Sequence, residues 1–192
     1  MSRSAKVLTL AMILVGMSGC ATPNMKLSEP GNEMEKVPQD KALIMFLRPA
    51  RMGFKISAAV YDGDEFIGFV PYQQKLAYLA EPGEHLFMVV SEAADFMSAT
   101  LQAGKKYYAT VVPRKRAWRA RFSLLPVTQS ALAEPEMRQH IQEARFIKNK
   151  DLAYQWAERN HDSVLHKKSA VYESWMKKDA ADRQHLAAED GR

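Results

Sequence analysis

The sequence is organised around ALIMFLRP, residues 42–49, in which six consecutive apolar residues precede Arg48 and Pro49. A short apolar run that stops at proline is typical of a strand with both faces buried, because proline cannot donate the next ladder hydrogen bond. We therefore expect a buried β-strand over residues 42–48.

Short β-rich stretches separated by turn residues follow this strand. Asp62-Gly63-Asp64 separates residues 56–61 from 65–70, and Asp-Gly between two such runs is typical of a tight hairpin. Further strands are expected at 75–80, 85–90, 98–101, 106–112 and 118–125. Seven or eight short strands, with no helix-length amphipathic segment between them, predict a mainly β fold with an antiparallel β-sandwich domain over residues 41–127.

The pattern changes after this region, and residues 128–192 are predicted to form a C-terminal helical extension. Pro135 suits the first turn of a helix, and apolar residues from Met137 to Ile147 recur at helical spacing. A second helix is expected over 151–159. After a break at 160–162, a third carries an amphipathic stripe that includes Val164 and Trp175.

The N-terminus has the features of a bacterial lipoprotein signal peptide, predicted over residues 1–19. Arg3 and Lys6 precede the apolar run 7–15, and Cys20, the only cysteine of the chain, follows two small residues. This arrangement resembles the lipobox, although Met17 stands where leucine is usual. The resemblance implies that Cys20 is acylated and becomes the mature N-terminus. Ala21, in place of aspartate, implies the outer membrane, with the domain facing the periplasm.

Residues 20–40 are predicted to be the lipidated N-terminus and a flexible tether. Pro23, Pro30 and Pro38, together with Gly31 and several charges, leave almost no apolar periodicity in this segment. Such a composition cannot bury enough surface to offset the entropy of ordering the chain.

Four short motifs in order resemble a domain-of-unknown-function family of small periplasmic lipoproteins. They are Arg48-Pro49, Asp62-Gly63, Pro82-Gly83-Glu84-His85 and Ala103-Gly104-Lys105-Lys106-Tyr107-Tyr108. The resemblance covers about residues 41–127 and implies an immunoglobulin-like or transthyretin-like sandwich. It implies no catalytic residues.

The charge of the chain is mildly basic. The formal net charge of the 192 residues is +5, and removal of Arg3 and Lys6 with the signal peptide leaves +3. This suits an anionic envelope surface and is too small to indicate a nucleic-acid partner.

Five basic residues just before and within the last predicted strand form the most marked electrostatic feature: Arg114, Lys115, Arg116, Arg119 and Arg121. In one interpretation they bind anionic ligands, either lipid headgroups or acidic glycans. In the other they are a solvated hairpin followed by the wet face of an edge strand, where basic side chains discourage sheet-to-sheet association. The second interpretation is the more economical.

Metal sites and nucleophilic catalysis find no support in the sequence. The residues after Asp62 lack the longer oxygen series of a calcium loop, and His161 and His166 are not three or four residues apart. His85 has no evident acid–base partner, and Tyr107 and Tyr108, with Phe87, Trp118 and Phe122, are expected to fill the core. No cofactor and no metal are predicted.

The sequence thus predicts a lipid-anchored, non-enzymatic binding or scaffolding module with an envelope protein as partner. The alternative is a module that binds an acidic glycan or lipid headgroup through the basic segment 114–121. An enzyme whose site is assembled in space is a third hypothesis, disfavoured because no nucleophile elbow or phosphate loop is present.

Overall fold

The protein is mainly β, as predicted. The computed structural model describes residues 24–28, 36–114 and 121–192, and these hold eleven strands and four α-helices. The strands are β1 (Met25–Leu27), β2 (Ala42–Leu47), β3 (Ala59–Asp62), β4 (Glu65–Phe69), β5 (Gln74–Ala80), β6 (Gly83–Val90), β7 (Ala94–Leu101), β8 (Lys106–Pro113), β9 (Phe122–Pro126), β10 (Arg145–Asn149) and β11 (His185–Leu186). The helices are α1 (Gln129–Ala133), α2 (Pro135–Glu143), α3 (Asp151–Arg159) and α4 (His161–Met176).

The strands form two sheets, and both are mixed. One has the order β1-β10-β5-β2-β8-β9 and the other the order β11-β7-β6-β3-β4. The prediction of an antiparallel arrangement was wrong for three pairs, since β2–β8, β5–β10 and β7–β11 are parallel. Each of these pairs joins strands distant in sequence, so no local turn signal could have indicated it.

The core lies between the sheets, with β2 at its centre. All six residues of β2 are buried, as predicted for the run that begins at Ala42. The inner face includes Phe46, which meets Phe87 of the other sheet edge-to-face with ring centroids 5.3 Å apart. The outer face, which includes Met45, is covered by side chains that include Leu132 of α1 and Met137 of α2. β2 is therefore apolar at every position because both of its faces pack against other elements.

Residues 145–149 depart from the predicted helical extension. Ala144 ends α2 with an extended backbone (φ −66°, ψ 127°), and β10 then pairs in parallel with β5. Ile147 was expected on a helix face, but it is buried between the sheets. The region after residue 128 thus supplies a strand to each sheet, β10 and β11, as well as the helices.

Part of the predicted tether is also a strand. Met25–Leu27 pairs with β10, and Met25 is buried, with 2 % of its surface exposed. The main-chain N–H of Lys150 donates to Asn24 O at 3.0 Å, which extends the attachment by one residue. A sequence pattern could not indicate this strand because its partner lies more than a hundred residues away.

Strand directions define two ends of the molecule. β1 is antiparallel to β10, β10 is parallel to β5, and β5 is antiparallel to β2, so β1 and β2 run in the same direction. We call the end where β2 begins the Ala42 end and the end where it finishes the Arg48 end. Asn24 lies toward the Ala42 end, whereas Pro113 and Phe122, which flank segment 114–121, lie at the Arg48 end.

Candidate binding surfaces

Arg48 is a fully buried cation at the Arg48 end. Its guanidinium donates to the carbonyls of Ile56 (2.8 Å), Val70 (3.4 Å) and Gly53, and it lies 4.2 Å from the centroid of the Phe122 ring. Among the described residues no carboxylate pairs with it, and its buried Nε has no partner. Burial lowers the pKa of Arg48 to about 10. Carbonyl oxygens therefore take the place of a counter-ion and tie down the loop that follows β2.

This loop displays two large apolar side chains to water. Met52 is 55 % exposed and Phe54 is 43 % exposed. The guanidinium of Arg51 and the ammonium of Lys55 lie 5.9 Å and 5.8 Å from the Phe54 ring. We call residues 51–55 the 51–55 loop. This loop was not among the predicted sites, although a lone arginine at the end of an apolar strand was a signal that could have pointed to it.

Phe122, which follows the basic segment considered as a ligand site, lies beside Gly53 of the 51–55 loop, but one member of that segment is already engaged. Arg114 lies 3.0 Å from Asp95 Oδ1 and donates to Phe122 O at 3.2 Å. Arg114 is therefore bound to its own domain. Lys115, Arg116 and Arg119 lie outside the described residues. Arg121 lines a cavity of about 220 Å³ together with Arg114, Asp95 and Lys178.

A second basic side chain, His85, lies toward the Ala42 end. Its Nδ1 is 2.7 Å from Asp62 Oδ2 and its Nε2 is 2.8 Å from Glu81 O, while its ring stacks on Phe87 with 5.4 Å between centroids. Both neighbours of the imidazole are acceptors, so both nitrogens act as donors when the ring is protonated. The hydrogen bond to Asp62 accordingly raises the pKa of His85. No partner for His85 was evident in the sequence. In the structure its partner is Asp62, which lies in the β3–β4 hairpin.

The cluster around Asp62 includes two more polar side chains. Tyr78 lies with its hydroxyl 3.2 Å from Asp62 Oδ2 and 3.4 Å from Glu65 Oε2. Burial, with help from the two carboxylates, raises the pKa of Tyr78 well above its usual range. These contacts tie the β3–β4 hairpin to β5 through Tyr78 and to β6 through His85.

Tyr78 also lines a groove between β5 and β10. β5 and β10 pair over only three residues and then separate, leaving a cavity of about 440 Å³. Its lining includes Phe66, Leu79, Lys148 and Tyr154. Asn149 also lines this groove. The Asn149 amide donates to Ile67 O at 2.9 Å, and the Asn149 Oδ1 packs against Gly68.

The remaining candidates behave as structural groups. Residues 62–65 form the expected hairpin, and Asp64 accepts from Lys168 Nζ at 2.6 Å. Tyr107 and Tyr108 are buried, as predicted, and Phe87 and Phe122 with them. Trp118 and Cys20 lie outside the described residues. Within residues 24–28, 36–114 and 121–192, no three His, Cys, Asp or Glu side chains are grouped to hold a metal ion.

Comparison with known proteins gives no relative. No family model, no curated protein and no solved structure matches the chain. In the part of the chain that the structure describes, no helix combines the length and the apolar character needed to cross a bilayer.

Proposed function

We propose that this protein is a lipid-anchored, non-enzymatic binding module of the bacterial envelope, held through acyl chains on Cys20 to the periplasmic face of the outer membrane. The supports are the basic N-terminus, the apolar run 7–15 and the lone cysteine after two small residues. Three acyl chains bind far more firmly than one, since each buried methylene contributes about 0.8 kcal/mol. The proposal includes a sandwich similar to immunoglobulin or transthyretin domains of periplasmic lipoproteins.

We further propose that the 51–55 loop is the surface that binds an envelope protein. The observation that carries this proposal is the set of Arg48 hydrogen bonds to Gly53 and Ile56. Apolar side chains on a loop that is already ordered lose little entropy when a partner covers them. Met52 and Phe54, flanked by Arg51 and Lys55, fit a partner with an apolar pocket rimmed by acidic residues.

The anchor is tested by Cys20→Ser in cells labelled with a fatty acid. We expect the wild type to incorporate the label and to sediment with membranes, and the variant to do neither. A wild type without fatty acid, or a variant that still sediments with membranes, contradicts the proposal.

The binding surface is tested by a photo-crosslinking amino acid in the acylated full-length chain. Placed at Met52, it should capture a discrete protein partner, and Phe54→Ser should reduce the yield about tenfold. The matched control is the same crosslinker at Leu152, another exposed apolar position, which should capture nothing discrete. Equal products from both positions would refute the assignment.

A second candidate function is the binding of an acidic glycan or lipid headgroup by the basic segment 114–121. Arg121 and Lys178 favour it because they line one cavity at the same end as the 51–55 loop. Lys115, Arg116 and Arg119 extend this set in the sequence. Reversal of Arg121 and Lys178 to glutamate should abolish binding to a sulfated oligosaccharide and to phosphatidylglycerol vesicles, whereas Lys177→Glu should preserve it.

A further inference from the structure

The edge formed by β1 and β10 concentrates positive charge. Lys26 lies directly opposite Lys148 in the antiparallel ladder, so the two side chains leave the same face of the sheet. Lys150 follows at the next position of that face. Among the described residues, none of these three ammonium groups has a carboxylate within ion-pair distance. Like charges directly opposite each other destabilise a sheet unless something outside it compensates them.

This edge is also the part of the domain tied closest to Cys20. Asn24 is held by Lys150, and four Cα–Cα steps separate Asn24 from Cys20. Fully extended, four steps span about 14 Å. If Cys20 carries acyl chains, its backbone lies at the headgroups, so the lipid surface is never more than this distance from Asn24. The expected tether of twenty residues is thereby reduced to a link of three.

We propose that Lys26, Lys148 and Lys150 dock on anionic headgroups of the leaflet that carries the acyl chains. The inference rests on the proposed function, because acylation of Cys20 brings the surface within reach. Each lysine near an anionic membrane favours the bound state by about fivefold. The domain is then oriented on the membrane, and the Arg48 end lies at the far end of the strands from Asn24.

The test uses the acylated full-length protein in vesicles of phosphatidylethanolamine and phosphatidylglycerol. A water-soluble lysine-acylating reagent is applied, and mass spectrometry gives the labelling rate of each lysine. We expect Lys26, Lys148 and Lys150 to react at least threefold more slowly than in vesicles of phosphatidylcholine alone. Lys177, exposed at the end of α4 and outside both proposed binding surfaces, serves as the control whose rate should not differ between the vesicles.

Two variants distinguish protection by docking on anionic lipid from protection by mere closeness to the bilayer. Insertion of a twelve-residue Gly/Ser segment after Ala21 lengthens the link and should lower the protection by more than half. Lys26→Glu should remove most of the protection of Lys148, and 0.5 M salt should do the same because it screens surface charge.

The outcomes distinguish this inference from the proposed function. Equal protection in both kinds of vesicle, or protection that persists in high salt, overturns docking on anionic lipid. Equal labelling of Lys177 and the three edge lysines also overturns it while leaving the anchor intact. Absence of acyl chains from Cys20, found in the same mass spectra, refutes the proposed function itself.

Discussion

Two basic side chains, Arg48 and His85, fix loops at opposite ends of the molecule through different contacts. Arg48 and His85 each lie on an aromatic ring, and each binds the carbonyl of a neighbouring turn. Among the described residues the guanidinium of Arg48 donates only to carbonyls, whereas His85 also has the carboxylate of Asp62. Arginine remains charged at any physiological pH, whereas histidine does not. The hydrogen bonds of Arg48 are therefore independent of pH in the physiological range, whereas the contact between His85 and Asp62 depends on pH.

The largest effect is expected from Arg48→Met. Methionine preserves much of the volume but leaves the carbonyls of Gly53, Ile56 and Val70 without their donor, and unsatisfied buried acceptors are costly. We expect the free energy of unfolding to fall by about 3 kcal/mol, measured by urea denaturation. Arg114→Met, at a half-exposed arginine with one carboxylate partner, should cost about 1 kcal/mol. Equal losses would show that the carbonyl bonds are not what distinguishes this end.

A smaller effect is expected from Gly53→Ala in the 51–55 loop. Gly53 has a left-handed backbone (φ +70°), and an added Cβ would lie 3.2 Å from Phe122 Cζ. We expect a loss of about 2 kcal/mol from conformation and crowding together. Gly63→Ala is the matched control, because Gly63 has φ +58° and nothing within 4 Å. It should cost about 1 kcal/mol, from conformation alone. The same loss at both positions would exclude a contribution from the contact with Phe122.

The His85 contact should make stability depend on pH. The pKa of His85 is raised in the folded protein, chiefly by Asp62, so its contribution is complete below the unfolded pKa of about 6.5. It is lost as pH rises through the folded pKa. Unfolding measured from pH 5 to 9 should therefore show a decline for the wild type that His85→Gln lacks. Parallel profiles would mean that the pKa of His85 is the same in the folded and unfolded states.

The smallest effect is expected at the edge formed by β1 and β10, where we expect a substitution to raise the free energy of unfolding rather than lower it. Lys26→Glu places a carboxylate opposite Lys148 and should stabilise the protein in neutral detergent by about 0.5 kcal/mol. Lys178→Glu, outside any strand pair, should give no comparable gain. A loss of stability in Lys26→Glu would indicate that the lysine pair is compensated within the fold.

Local patterns predicted the strands that hairpins connect, and non-local pairing decided the rest. Residues 42–48 and the Asp62-Gly63 hairpin needed only an apolar run and a turn signal. By contrast, β10 follows a stretch whose apolar spacing fits a helix, and it becomes a strand because β5 offers an open edge. Local patterns also failed to indicate the candidate binding surfaces. Arg48 and the Asp62–His85 pair are contacts across the fold, and a single sequence contains no sign of which carbonyl or carboxylate will be near.

The pairing of β1 with β10 has a consequence for the order of events when the protein is made. Met25 is opposite Asn149, so a chain that emerges N-terminus first has no partner for β1 until most of it has been synthesised. If Cys20 is cleaved and acylated as we propose, those steps act on a segment that has not yet paired with β10. The maturation enzymes would then reach Cys20 before folding, and the short link to the bilayer would form only when β1 joins the sheet.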